Sequence, residues 1–388
     1  MTRHVRGMVW GLAVAGALVL AFAGLLGSGV LAGSGGGSSD IETQWAVSGH
    51  ANEELAKEEA TVEMRQAGAA SCARCHASQG FQAWVAQLQA GQPGNLLGPD
   101  GKPASVEYMQ SLGLTTAQVK PIDCDACHTE TYELRIAGST PMLPSGFAAH
   151  GVGSGALCMT CHNTRNGKVA WNATDPGRFT APHHSAQADV IMGQNAYFVN
   201  VDAASFISPH AAFTGDACVT CHFELGEDGH KFEASRKVCV DCHGPEYTAA
   251  RVEGPTRELL ARTAKAYNER FMALYASKVK TADLWDPDTD KTSAGAPLDG
   301  TSIAGVELTA IHGQQGLKMT LRDGQVVYSQ LAGLKGSDGK PVVPTSDPLV
   351  RGAWNYLMIL WDGSYGVHNP AYTRAVLLAT ESALAQRP

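Results

Sequence analysis

The chain lacks any cysteine outside one repeated pattern, is poor in aromatic residues and has no excess of positive charge. All ten cysteines fall in five Cys-x-x-Cys-His motifs, which excludes ordinary disulfides. Aromatic residues are 7% of the 388, and 43 residues are glycine, a composition typical of a loop-rich protein. The formal net charge of -8 argues against nucleic-acid binding and against adhesion to anionic lipid, and it leaves a cationic protein partner open.

Charge is also missing from the N-terminal segment. Arg3 and Arg6 are followed by no charged residue until Asp40, and residues 8–32 are apolar or small throughout. About 20 apolar residues span a bilayer, whereas a cleaved signal peptide has an apolar region of about 7–15. We expect residues 1–39 to be either an uncleaved anchor or a signal cleaved after Ala32, followed by a Gly/Ser linker. Both alternatives place the remainder of the chain outside the cytoplasm.

The cysteines that are present form the motifs CARCH, CDACH, CMTCH, CVTCH and CVDCH. This spacing is the attachment signature of c-type haem: two thiols bond to the two vinyl groups of one porphyrin, and the next histidine binds its iron. The sequence therefore predicts five covalent haem c groups. Their attachment residues are Cys72, Cys75, Cys124, Cys127, Cys158, Cys161, Cys218, Cys221, Cys239 and Cys242. Their proximal iron ligands are His76, His128, His162, His222 and His243.

Cys-x-x-Cys also occurs in four-cysteine zinc sites and in redox disulfides. Neither requires a histidine directly after the second cysteine. Five motifs also cannot be divided into closed four-cysteine sites.

Five haems need five distal ligands if every iron binds two histidines. Local context favours His50 at a helix start, His210 after Pro209, His230 between the two closest motifs, and His368 ahead of Asn369-Pro370. Because His183 and His184 are adjacent, we expect only one of them to bind a given iron, and we prefer His184. His150 is undecided, His312 is expected to be structural, and Met192 is the one methionine considered as an alternative ligand.

The predicted fold is mainly α with extensive loops, haems forming much of the core, and one short β-hairpin in the C-terminal part. We expect a pentahaem domain over residues 40–250 and a helical C-terminal region over 251–388 that packs on the haem core and supplies a distal ligand. Helices are predicted over residues 40–70 and 104–120. A further helix is predicted from Pro255, a hairpin around Asp323-Gly324, and two helices across 350–360 and 371–385. Asp347-Pro348 and Asn369-Pro370 are typical N-caps followed by proline.

Several phrases resemble exported multihaem, here pentahaem, c-type cytochromes. They are SGHA, CARCHASQGF, CMTCHNTRNG, SPHAAFTGDACVTCHF, CVDCHGP and DGSYGVHNP. The likeness covers residues 44–245 and 354–378, and it implies packed bis-histidine haems that carry electrons. Pentahaem nitrite reductases of this group use Cys-x-x-Cys-Lys at a reactive haem, whereas this chain has histidine in all five places. The chain is also similar, more loosely, to haem-wire proteins that polymerise outside cells.

The function expected from the sequence is electron transport through five mostly bis-histidine haems in respiratory, including anaerobic, or extracellular electron transfer. No catalytic residue is assigned. One alternative is a subunit of a polymeric cytochrome wire, in which a spare histidine would bind a haem of the next subunit. The other is an oxidoreductase of a small nitrogen or sulfur compound, which requires a five-coordinate haem. The protein is expected to be exported and to lie in the periplasm or at the cell surface. Residues 8–32 are a candidate tether to the cytoplasmic membrane. Expected partners are redox proteins and no nucleic acid, and a homo-oligomer or filament stays open.

Overall fold

The computed structural model describes residues 38–167, 179–199, 206–223 and 229–386, so the predicted anchor or signal segment lies largely outside it. Short helices carry the cysteine motifs, and a C-terminal region of three longer helices and a sheet follows them. Within the described ranges, no helix is both long enough and apolar enough to cross a membrane.

The motif-bearing half is built from short helices joined by loops. The helices are α1 Ser38–Ala46, α2 Glu53–Ala60, α3 Val62–Arg65, α4 Ala69–His76, α5 Ser78–Gln89, α6 Val106–Ser111, α7 Cys124–Cys127, α8 Gly155–Cys161, α9 Gln187–Ile191, α10 Pro209–Phe213, α11 Cys218–His222 and α12 Arg236–His243. A two-stranded ribbon pairs β1 Gly138–Ser139 with β2 His150–Gly153.

The helical prediction for residues 40–70 is confirmed, with breaks that have local causes. The Asn52 side chain accepts a hydrogen bond from Leu55 N at 3.0 Å, which opens α2. The prediction of helix across 104–120 was too long. Ser105 caps α6, which ends within two turns, and Gly113 follows with a φ of 80° that a continuing helix does not adopt.

Three helices of the C-terminal region are longer: α13 Ala249–Leu274, α14 Pro348–Asp362 and α15 Pro370–Ala385. The predicted start of α13 at Pro255 was wrong. The hydroxyl of Thr248 accepts from Arg251 N and caps the helix ahead of the proline. The starts of α14 and α15 are confirmed. Asp347 accepts from Leu349 N, Asn369 accepts from Tyr372 N, and each is followed by proline.

The strand content is larger than the single hairpin predicted. Five antiparallel strands form a sheet in the order β4-β3-β7-β6-β5. They are β3 Thr281–Asp286, β4 Lys291–Pro297, β5 Ile303–Ile311, β6 Gln314–Leu321 and β7 Val326–Lys335. The Asp323-Gly324 turn does join β6 to β7, as predicted. The other strands were missed because their sequence alternates weakly; the edge strand β4 is almost wholly exposed.

Three apolar clusters lie in the part of the chain that the structure describes. One lies among the motif helices and is rich in alanine, with Trp84 and Phe81 as its large members. A second lies between the sheet and α13 and includes Phe271 and Leu317. The third joins the two halves, because α9 packs against α13, α14 and α15 there.

Buried polar contacts make that junction specific. Asn355 accepts from Tyr197 N at 2.8 Å and donates to Tyr197 O at 2.8 Å. Trp354 donates to Asn195 O at 3.0 Å. Because a buried polar group left unpaired is costly, these bonds define one orientation of the C-terminal helices on the segment that follows the third motif.

Candidate functional site

Each cysteine motif lies at the C-terminal end of a short helix. The two cysteines are three residues apart, so both thiols lie on one face of the helical turn. The helix then ends at the motif histidine or at the residue before it, in α4, α7, α8, α11 and α12. None of the ten cysteines forms a disulfide. This local geometry presents two thiols and one imidazole to the same side.

Hydrogen bonds orient several motif histidines. The Nδ1 of His128 lies 3.0 Å from Tyr132 O, and that of His222 lies 3.2 Å from Phe232 O. The Nδ1 of His162 lies 3.4 Å from the side-chain oxygen of Gln187. An imidazole that donates from Nδ1 keeps Nε2 free as a metal ligand, which is the usual arrangement for ligating histidines.

Four motif histidines each have a second histidine ring close by. The ring centroids are 5.9 Å apart for His76 and His183, 6.1 Å for His162 and His50, 6.0 Å for His243 and His210, and 6.2 Å for His222 and His368. In every case the second histidine comes from outside the motifs.

The fifth motif histidine, His128, has His230 as its electrostatic neighbour. His230 lies in a short 3-10 turn, Gly229–Lys231, and its backbone N–H donates to the side chain of Gln44 in α1 at 3.1 Å. The N-terminal helix therefore holds this turn in place. We refer to these five combinations as the ring pairs: 76/183, 128/230, 162/50, 222/368 and 243/210.

The spacing within four of the ring pairs, 76/183, 162/50, 222/368 and 243/210, fits one metal ion between two imidazoles. Metal–imidazole bonds are about 2.0–2.1 Å, and the ring centre lies roughly 1 Å behind the bonding nitrogen, so two rings on one metal have centres about 6 Å apart. At the first motif, one cavity is lined by both thiols, by both rings of pair 76/183, and by Arg165. The residues present thus fit a planar haem that is bonded to two cysteines and ligated from both faces.

Burial lowers the pKa of several ring-pair histidines. Desolvation, with the nearby His162, lowers the pKa of His50 to about 4. Desolvation, with Arg165 and His76 nearby, lowers the pKa of His183 to about 3. Burial likewise lowers the pKa of His76 and His222, whereas the carboxylate of Asp362 outweighs burial and raises the pKa of His368. Neutral imidazole is the form that binds metal, so the rings with a lowered pKa are ready to ligate at pH 7.

The adjacent residues His183 and His184 have different surroundings. The ring of His183 faces His76, and its Nδ1 lies 2.9 Å from the hydroxyl of Ser185. The ring of His184, which we preferred from the sequence, instead stacks on Trp361 with centroids 3.8 Å apart. His183 therefore takes the place of His184 in the ligand set proposed below.

The remaining candidates have other surroundings. His150 is exposed in β2, and His312 lies on the β5–β6 turn with its Nε2 2.6 Å from Asp290. Met192 is buried in the apolar cluster among the motif helices.

The third motif, CMTCH, is where the motifs converge. Cys161 makes a thiol contact with Cys75 of the first motif, and Cys158 makes one with Cys218 of the fourth. Cys127 of the second motif is an electrostatic neighbour of both Cys158 and Cys161. The fifth motif is reached through Cys221, whose neighbours are Cys239 and Cys242. The arrangement is thus branched at the third motif.

The pKa values of the motif thiols are shifted in both directions. Burial raises the pKa of Cys127 to about 12, and it also raises the pKa of Cys72 and Cys221. Contacts with the thiols of Cys161 and Cys218 lower the pKa of Cys75 and of Cys158. Among the described residues, no three or more His, Cys, Asp or Glu side chains cluster so as to hold a metal ion by themselves.

Three further residues near the ring pairs were missed from the sequence. Asp362 contacts His368, Gln187 contacts His162, and Arg165 lines the cavity at the first motif. The acidic residue in WDGSYGVHNP was a usable signal, because it precedes His368 closely within one of the phrases singled out. Arg165 also lies in a quoted phrase, CMTCHNTRNG, whereas Gln187 had no such signal.

Comparisons with known proteins give one structural likeness. No protein-family model matches the chain, and no curated protein matches it. The crystal structure of the outer cell wall cytochrome OcwA is similar with a TM-score of 0.44 and 14% sequence identity, over 89% of this chain and 50% of that chain. The chain therefore spans about half the length of that solved structure.

Proposed function

We propose that the chain is a multihaem c-type cytochrome that carries electrons through five covalently bound bis-histidine haems. The observation that carries this proposal is that four motif histidines each face a histidine from elsewhere in the chain at 5.9–6.2 Å. The fifth has His230 as its neighbour. When bound, haem iron supplies reversible one-electron transfer.

The side chains divide the work in a simple way. The ten motif cysteines attach the groups, and His76, His128, His162, His222 and His243 serve as proximal ligands. His50, His183, His210, His230 and His368 serve as distal ligands. With two histidines to hold each iron, no position would be left for a substrate, and the task of the chain would be to space and tune the iron sites. Hence electron transfer is favoured over catalysis.

Two thiol contacts and the electrostatic neighbours of the other thiols support an order for the sites. The third motif joins the first, the second and the fourth, and the fourth joins the fifth. Cys124 of the second motif and Cys242 of the fifth are the two exposed cysteines, whereas the other eight are partly buried. We therefore place electron exchange with redox partner proteins at the second and fifth motifs.

We also propose that the protein is exported and is periplasmic or at the cell surface. The haem-attachment motifs and the N-terminal segment support this location. Anchoring through residues 8–32 belongs to the same proposal. N-terminal sequencing of the protein recovered from its native compartment decides between a retained anchor and a cleaved signal.

Mass spectrometry and spectroscopy test the proposal. The purified chain is expected to exceed its apo mass by five haems and to keep its colour in acidified acetone. Its oxidised form is expected to show only low-spin iron in low-temperature paramagnetic resonance, and carbon monoxide is expected to leave the reduced spectrum unchanged at neutral pH.

Two results would count against it. A mass with four or fewer haems contradicts one haem per motif. A stoichiometric carbon monoxide complex at one haem contradicts five bis-histidine sites and favours the oxidoreductase alternative.

A further inference from the structure

His368 has a hydrogen-bond partner unlike those of the other ring-pair histidines described above. The Nδ1 of His128 and of His222 meets a backbone carbonyl, and that of His183 meets a hydroxyl. The Nδ1 of His368 lies 2.6 Å from Oδ1 of Asp362. A carboxylate is the stronger acceptor, because a charge-assisted hydrogen bond is roughly twice as strong as a neutral one.

The surrounding backbone and side chains hold the carboxylate of Asp362 in this contact. Asp362 is the last residue of α14, and Gly363 follows it with a φ of 72°, a left-handed conformation that lets the chain turn back at once. The hydroxyl of Ser364 donates to the second carboxylate oxygen of Asp362 and accepts from His368 N at 3.1 Å. The Asp362 side chain is 1% exposed, so little water competes for it.

The histidine is held as firmly as the carboxylate. The hydroxyl of Ser208 donates to His368 O. The Asn369 side chain donates to Phe206 O at 2.6 Å and to Val190 O at 3.0 Å, and it caps α15 through Tyr372 N at 3.1 Å. The ring of His368 is therefore held with Nδ1 on Asp362, and its centre lies 6.2 Å from that of the His222 ring.

We propose that Asp362 lowers the reduction potential of the iron site at the ring pair 222/368 by accepting the Nδ1 proton of His368. This inference rests on the proposed function. Partial transfer of that proton gives the imidazole anionic character, which makes it a stronger donor and favours ferric over ferrous iron. Outer partners of this kind raise the basicity of a ligating histidine and are a recognised means of tuning a metal.

The position of the ring pair 222/368 determines which electron-transfer step a lowered potential would affect. The fourth motif lies between the third, through Cys158 and Cys218, and the fifth, through Cys221 and Cys239. The main-chain oxygen of Asp362 also accepts from Gln187 at 3.1 Å, and Gln187 contacts His162 of the third motif. Asp362 thus sets the energy of the step between the branch point and the fifth motif.

The test compares Asp362→Asn with a matched control, Asp283→Asn. Both remove one carboxylate charge and keep the side-chain shape, but Asp283 is paired with Lys335 in the sheet. The measurement is a spectropotentiometric titration of the intact five-haem protein, with paramagnetic resonance of the oxidised form. In Asp362→Asn, the reduction equilibrium constant of one haem is expected to rise about tenfold, equivalent to about 59 mV for one electron. All five haems stay low-spin, and the control keeps the wild-type potentials.

A second variant gives a change of opposite sign. Ser364→Ala removes the hydroxyl that stabilises the carboxylate charge, which makes Asp362 a better acceptor for His368. The equilibrium constant of the same haem is expected to fall about threefold. If Asp362→Asn is not recovered with five haems, this variant decides the matter, and an unchanged potential in it overturns the proposal.

Other outcomes also overturn it. Five unchanged potentials in Asp362→Asn show that the carboxylate is only a structural partner. A high-spin haem in that variant shows that Asp362 keeps the ligand in place rather than tuning it. Failure of the proposed function is distinguishable from these results, because the wild-type protein would then lack five low-spin haems from the start.

Discussion

The motif-bearing half and the C-terminal region are stabilised in different ways. The apolar cluster among the motif helices is dominated by alanine, and its helices reach at most 12 residues, in α5. The C-terminal region has helices of 26, 15 and 16 residues and a five-stranded sheet over large side chains such as Phe271, Leu317 and Leu331.

The difference follows from what fills each interior. Isolated helices shorter than about 12–15 residues are marginal in water, and alanine buries little apolar surface. The motif half therefore has too little of its own apolar area to hold so many short helices together. Under the proposed function, the bound haems supply the missing area, whereas the C-terminal region supplies its own.

The largest expected effect comes from blocking haem attachment altogether. Chain exported from cells that lack the attachment machinery is expected to lose amide protection in the motif helices α4, α8, α11 and α12 while keeping it in β5, β6 and β7. Hydrogen exchange with mass spectrometry measures both regions in one sample. Equal loss of protection in both would contradict the division between a haem-dependent and a self-sufficient region.

A smaller effect is expected when only one of the two attachment bonds of one haem is removed. Cys161→Ser is expected to leave one thioether at the third motif and to lower sharply the yield of folded protein, because this motif adjoins three others. Cys242→Ser, at the exposed end of the arrangement, is the matched control and is expected to reduce the yield less. Yields of five-haem protein that fall equally would contradict the branched arrangement.

Within the C-terminal region, the buried ion pair between Arg270 and Asp347 is the interaction whose loss is expected to lower stability most. The guanidinium contacts the carboxylate at 2.9 and 3.0 Å, and the two side chains are 6% and 5% exposed. Asp347→Ala leaves a buried cation unpaired, so the free energy of unfolding of this region is expected to fall by about 3–5 kcal/mol. Glu269→Ala, which breaks the exposed pair with Lys265, is the control and is expected to cost no more than about 0.5 kcal/mol.

The ion pair between Arg270 and Asp347 also predicts that the stability of the C-terminal region depends on pH. Burial disfavours the charged form of Asp347, but the guanidinium of Arg270 and the hydroxyl of Tyr275 outweigh burial and hold its pKa below the ordinary value. A lowered folded-state pKa contributes stability that is present above the unfolded value of about 3.9 and is lost as the pH falls below it. Denaturant titrations of wild type between pH 3 and 6 are expected to show this loss, and Asp347→Ala is expected to show less of it.

The contact between the two regions is tested by His368→Ala. If the tail supplies the distal ligand at the fourth motif, the variant is expected to show one high-spin haem that binds carbon monoxide, with a raised potential, while four haems stay low-spin. His312→Ala is the control, because that ring lies on an exposed turn beside Asp290. An unchanged spectrum and unchanged potentials in His368→Ala would show that the tail does not clamp an iron site.

The smallest expected effect is at the first motif. Arg165 is a half-buried cation on the cavity that contains Cys72, Cys75 and the ring pair 76/183. A nearby positive charge disfavours ferric iron, so Arg165→Gln is expected to lower the reduction potential of one haem. Because solvent partly screens the charge, its reduction equilibrium constant is expected to fall by only about threefold. Spectropotentiometry of Arg165→Gln is compared with that of Arg322→Gln, a charge change on the sheet. Identical titrations of the two variants would contradict the role of Arg165.

The features that sequence alone could supply are those contained within a few neighbouring residues. The spacing of two cysteines and a histidine is one helical turn, so the predicted attachment residues needed no knowledge of the fold. The caps Asp347-Pro348 and Asn369-Pro370 and the turn at Asp323-Gly324 are equally local, and the structure confirms all three.

Tertiary structure decided which distant groups meet. His50 faces His162 rather than a nearer motif, and His183 rather than His184 faces His76, because packing of α9 and Trp361 orients that segment. The sheet depends on strands whose own sequences alternate weakly. The contact of Asp362 with His368 depends on a left-handed turn at Gly363. Covalent spacing is local and visible in the sequence, whereas ligand pairing and its tuning depend on contacts between segments far apart in the chain.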